Sequence, residues 1–211
     1  MKVFADQLPA ALAKKLPRVV IVAGDEPLQH RDACDAVRKA ARQAGVEERE
    51  VLDVEPNFAW GRLMEMSSNL SLFATSKLLE LRLGNHKLGQ EGSKALAQYG
   101  ETLDNSDDIL LISMGKLDAK QQKSAWFKTL DKQGLFVPVW PVDVSRLGYW
   151  LRDRASLHGI QIDLDAARLL GERTEGNLLA ADQELQKLAL IHPQGTRLNV
   201  ESIAQGVEDS T

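Results

Sequence analysis

The sequence predicts an α/β protein: a mostly parallel five-stranded sheet flanked by helices over residues 1–140, then a small all-helical domain over 141–211. Three observations predict it. Val19-Val20-Ile21-Val22-Ala23 is an unbroken apolar run rich in β-branched residues, the mark of a strand buried on both faces. Four further strand-like runs follow it, and helical patterns separate them, as in a parallel sheet built by crossovers. The alternation then stops at Pro138-Val139-Trp140-Pro141, beyond which every pattern is helical.

Residues 1–16 read as a short helix, with Phe4, Leu8, Ala11, Leu12 and Leu16 on one side. After the first strand, Gly24-Asp25-Glu26-Pro27 turns the chain into a helix, and Pro27 suits its first turn. Ala33, Val37, Ala40, Ala41 and Ala44 repeat at helical spacing until Gly45 ends the pattern. Further strands are expected over 51–54, 77–83, 109–113 and 135–139, with helices over about 58–68, 91–104 and 119–132. In the second domain, helices are expected over about 143–158, 164–174, 178–191 and 199–206. Leu178, Ala181, Leu185 and Leu188 form the stripe of the third, with Asp182, Glu184 and Lys187 off it and Asn177 as its N-cap.

Composition narrows the function. The 211 residues are 44% hydrophobic and 27% charged, as in ordinary globular proteins. A net charge of −4 disfavours a stand-alone nucleic-acid-binding module, though a local basic rim from Lys116, Lys120, Lys123, Arg146, Arg152 and Arg154 is conceivable. Solvated faces explain those cations more simply. Cys34 is the single cysteine, so no internal disulfide forms. Phe4 to Leu16 is interrupted by Asp6, Gln7, Lys14 and Lys15, unlike a signal peptide, and no apolar run reaches membrane-spanning length. The expectation is a soluble cytoplasmic protein with no membrane contact. His30, His86, His158 and His192 are scattered without metal spacing, so no metal site is expected.

A buried strand, a glycine turn and a long helix together suggest a phosphate-binding loop. That loop needs glycines for close backbone approach, a lysine for the β/γ-phosphates and a hydroxyl for magnesium. Counting from Gly24, Gln29 stands where glycine belongs, His30 where lysine belongs and Arg31 where the hydroxyl belongs. Asp25 and Glu26 would repel a triphosphate by roughly 1 kcal/mol per close pair, and Pro27 removes a donor. The expectation is a defective loop, no bound cofactor and no catalytic residue. The alternative is a degenerate nucleotide-binding or hydrolysing protein.

A second segment stands out. Asn69-Leu70-Ser71-Leu72-Phe73-Ala74-Thr75 connects a helix to a strand, yet it carries Leu70, Leu72 and Phe73 close together. Such residues either close one end of their own sheet or are offered to another protein.

Several strings carry a resemblance. They are Val-Ala-Gly-Asp-Glu-Pro-Leu at 22–28, Leu-Ser-Leu-Phe-Ala at 70–74 with Lys77, Lys116-Leu117-Asp118 with Trp126-Phe127, and Glu-Gly-Asn-Leu-Leu-Ala at 175–180 followed by Glu184-Leu185 and Lys187-Leu188. In this order they resemble the delta subunits of the bacterial DNA polymerase III clamp loader, over the whole chain. The resemblance implies an AAA+/RecA-like α/β domain over 1–140, a helical lid over 141–211 and a collar domain beyond Thr211. It implies a subunit that does not hydrolyse ATP and works inside a nucleotidyltransferase holoenzyme. Its implied partners are the β sliding clamp, the gamma/tau and delta prime subunits, and primed DNA through the assembled complex. Clamp contact falls by position on Leu70, Leu72 and Phe73, with Leu70 a mild departure from the methionine the family can carry. The lid string Gly176-Asn177-Leu178-Leu179 lacks the arginine with which AAA+ lids sense the γ-phosphate.

Overall fold

A computed structural model describes residues 1–68 and 76–208. The chain divides into two compact units, Met1–Trp140 and Pro141–Thr211.

The first unit is built on a five-stranded sheet in the order β2-β3-β4-β1-β5. Its strands are β1 (Val19–Gly24), β2 (Glu48–Asp53), β3 (Lys77–Gly84), β4 (Ile109–Met114) and β5 (Gly134–Val139). Every pairing is parallel. The β1 run lies between β4 and β5 and is buried at all six positions, as its unbroken apolar character requires. Its side chains alternate between two cores. Val19, Ile21 and Ala23 join Leu63, Leu96, Tyr99, Trp126 and Phe127 on one face, and Val20 and Val22 join Leu8, Leu12, Val37 and Ala41 on the other. The helices that supply those residues are α1 (Leu8–Lys14), α2 (Pro27–Gln43), α3 (Gly61–Ser68), α4 (Gly89–Thr102) and α5 (Ala125–Asp131).

Two expectations in this unit need correction. The helix expected over 1–16 is confined to Leu8–Lys14. Residues 1–3 instead lie along the β5 edge, where the Val3 amide donates to the Phe136 carbonyl and the Phe136 amide to the Met1 carbonyl, each at 2.9 Å. That pairing covers donors and acceptors an edge strand would otherwise present, and it leaves Phe4 exposed. Lys15 is extended as the chain approaches Pro17. The second strand starts at Glu48 rather than at 51, because its polar first half faces charged partners on β3 rather than an apolar core.

The second unit contains α6 (Val144–Leu157), α7 (Leu164–Arg173), α8 (Leu178–Ile191) and α9 (Val200–Glu208). It is not all-helical. Two short strands, β6 (Gln161–Ile162) and β7 (Arg197–Leu198), pair in parallel. Gly159 and Gly195 take positive φ before them, and the Gly195 amide donates to the Gly159 carbonyl at 2.7 Å. Two residues per strand are too few for any alternation to show in sequence. Asn177 caps α8 by accepting from the Ala180 amide at 3.1 Å, and Leu178, Ala181, Leu185 and Leu188 are buried. Asp182, expected off that stripe, is fully buried as well.

Candidate functional site

The corner between β1 and α2 is where a parallel sheet of this kind would receive a phosphate. Gly24 leaves β1 at φ 150, and a Cβ placed on it would lie 1.8 Å from the Val139 carbonyl oxygen, so only glycine fits between β1 and β5. Glu26 follows as the N-cap of α2. Its Oε1 accepts from the Leu28 amide at 3.3 Å and its Oε2 from the Gln29 amide at 2.7 Å. The carboxylate is buried. It therefore occupies the donors that a bound anion would use. Pro27, at the first helical position, offers none.

The next side chains also turn to the protein's own backbone. The Gln29 Nε2 donates to the Trp140 carbonyl at 2.8 Å. His30 Nδ1 lies 3.2 Å from the Gly24 carbonyl and donates to it. Burial lowers the His30 pKa, and the Gly24 bond and the charges of Asp25 and Glu26 offset only part of that. Arg31 is half-exposed and lies 3.5 Å from Asp32. Asp25 is exposed. The residues standing at the lysine and glycine positions of a phosphate loop thus brace the corner itself.

Leu70, Leu72 and Phe73 lie outside the described residues. Helix α3 precedes them and β3 follows. In α3, Leu63 and Met66 are buried in the first core, and Ser67 Oγ donates to the Met64 carbonyl at 2.8 Å. On the other side, the Lys77 amide donates to Asp108 Oδ1 at 2.9 Å. The Lys77 ammonium donates to the Met66 carbonyl at 3.2 Å and lies 3.5 Å from Glu50 Oε2. Because every strand runs the same way, Lys77 starts β3 at the end of the sheet opposite the β1–α2 corner.

Two charged networks escaped sequence reasoning. Glu80, buried at the middle of β3, accepts from Arg38 Nε and Arg49 Nε at 2.6 Å each, and Arg82 Nη2 lies at 3.3 Å. Asp182 accepts from Arg154 Nε at 2.5 Å, His158 Nε2 at 2.6 Å and Gln186 Nε2 at 2.9 Å. Arg154 is thereby drawn inward and does not stand on a basic rim. Asp107 pairs with Arg18 at 2.9 Å and stays exposed. Among the described residues no group of three or more His, Cys, Asp or Glu side chains is placed to hold a metal, and no helix is long and apolar enough to cross a membrane.

Comparison with known proteins gives the family. A family model described as DNA polymerase III, delta subunit, matches residues 21–139. The chain is 31% identical over 211 residues to the DNA polymerase III subunit delta of Escherichia coli K12, and 28% identical over 213 aligned positions to that of Haemophilus influenzae. All of this chain is covered in both cases, and it spans 61% of the length of each relative. In fold it resembles the Bacillus subtilis DNA clamp loader delta protein, with a TM-score of 0.71 at 15% identity over 95% of this chain and 61% of that one. It also resembles the Thermotoga maritima RuvB Holliday junction branch migration motor, with a TM-score of 0.54 at 15% identity over 97% of this chain and 66% of the other. A match covering more than half the chain, with relatives aligned along all of it, gives one conclusion: the protein belongs to the DNA polymerase III delta subunit family.

Proposed function

We propose that this chain is a non-catalytic clamp-loader subunit of the cytoplasmic replication machinery, which binds the ring-shaped β sliding clamp and opens it for loading on primed DNA. Leu70, Leu72 and Phe73 are the proposed grip. In the complete loader its other partners are the gamma/tau and delta prime subunits, and primed DNA is met through the assembly. Residues 1–140 serve as the AAA+-like domain and 141–211 as the lid.

The single observation that carries the non-catalytic reading is Glu26, whose buried carboxylate accepts the amides of Leu28 and Gln29. A triphosphate would have to displace an anion that is already bonded there and would meet Asp25 beside it. Family membership supports the partner. The mechanism then needs binding alone. Three large apolar anchors each contribute roughly 1.5–3 kcal/mol gross, before association costs. Such binding shifts a strained ring toward its open form only to the extent that the open form is bound more tightly.

A surface-binding titration against the β clamp tests the reading. The Leu72→Ala/Phe73→Ala variant is expected to lose affinity by about a hundredfold or more with an unchanged Tm. A variant that melts far lower yet binds as wild type would place the pair in this protein's own core. Calorimetry with Mg-ATP is expected to show no binding, and micromolar affinity would favour the degenerate nucleotide-binding alternative.

A further inference from the structure

We propose that Lys77 is a positioning residue for clamp binding: its ammonium group ties the last turn of α3 to the starts of β2 and β3, fixing both ends from which residues 69–75 are presented. This rests on the reading that Leu70, Leu72 and Phe73 grip the clamp.

The geometry supports it at each link. Helix α3 runs over Gly61–Ser68, a length too short to be stable alone, and contacts to the carbonyls of its last described turn anchor it. One of them, Met66 O, accepts from Lys77 Nζ at 3.2 Å. A cation at this position also meets the negative end of the helix dipole. On β2, the Glu50 carboxylate lies 3.5 Å from the same ammonium. The Lys77 backbone is held independently, by Asp108 Oδ1 at 2.9 Å, and Asp108 is fixed in turn by Ser106 Oγ, which accepts its amide at 3.0 Å. Only 16% of the Lys77 side chain is exposed, so its charge-assisted bonds act largely out of water. One side chain therefore joins the exit of α3 to the entry of β3. Apolar anchors carried between two fixed ends lose less conformational freedom on binding than anchors between free ones.

The test titrates the 211-residue protein and its Lys77→Met, Lys77→Arg and Val37→Ala variants against immobilised β clamp. Lys77→Met is expected to weaken binding on the order of tenfold, with faster amide exchange across α3. Lys77→Arg, which restores a cation, is expected to recover most of the affinity. Val37→Ala, on the opposite face of the sheet, is expected to lower the Tm with wild-type affinity. Lys77→Gln, which keeps a donor without the charge, is carried in parallel in case Lys77→Met does not fold, and the same loss is expected of it. Wild-type affinity in the Lys77→Met or Lys77→Gln protein overturns the inference, as does an equal loss in Val37→Ala at matched Tm. Failure of the wild-type protein to bind the clamp at all overturns the functional reading itself, and the inference with it.

Discussion

Glu80 and Asp182 are buried as anions because guanidinium groups come to them. Burial pushes the Glu80 carboxyl up, but the hydrogen bonds and charges of Arg38 and Arg49 outweigh it and hold it at about 2, against an ordinary 4.5. Burial likewise raises Asp182, and Arg154 and His158 reverse it, leaving about 2 against an ordinary 3.8. A depressed carboxylate gives its full stabilisation above the unfolded pKa and loses it as pH falls through the folded one. Wild-type stability should therefore drop between about pH 4.5 and 2, and the Glu80→Gln protein should show a flatter profile there by urea melts at stepped pH. At pH 7 Glu80→Gln is expected to cost about 3 kcal/mol, the lower end for a broken buried pair because Arg49 is partly solvated. Neither network was legible in sequence. Arg38 and Arg49 stand 42 and 31 residues from Glu80, and nothing in a strand's local pattern announces such partners. Glu26 differs: its place before Pro27 marks a helix start, and its capping bonds follow from that local geometry.

Long elements with apolar faces were readable, and short or polar ones were not. The β1 run showed its two-faced burial through consecutive β-branched residues, and α8 through its leucine stripe. The β6/β7 pair and the polar half of β2 are fixed by distant partners instead, the first by Gly159 and Gly195 and the second by the charges around Glu80. Where β1 meets β5 the packing tolerates no added atom. Gly24→Ala would drive a methyl group to 1.8 Å from the Val139 oxygen and also demand an unfavourable φ. The expected cost is about 3 kcal/mol or more, seen as a large fall in Tm or loss of soluble protein. Gly45→Ala, with nothing within 4 Å, carries only the φ penalty and should melt much closer to wild type.

At the scale of the molecule, strand–helix alternation made the α/β class legible, and Pro138 to Pro141 marked where it stops. The proposed grip was legible only through resemblance, since the spacing of Leu70, Leu72 and Phe73 alone suits a core as well as a partner, and these residues lie outside the described structure. The first unit has its own two-sided core. Residues 1–140 produced alone should fold cooperatively and bind the β clamp within a few-fold of the 211-residue chain, as a denaturant melt and a binding titration would show. The carboxylate of Glu26 has one more consequence. Being covalently tethered, it competes at an effective concentration on the order of millimolar or above, which swings in the cell's energy supply do not readily overcome. On the proposed reading this chain works as a fixed lever: neighbours that sense fuel set its timing, and Glu26 stands as the stopper in its own port.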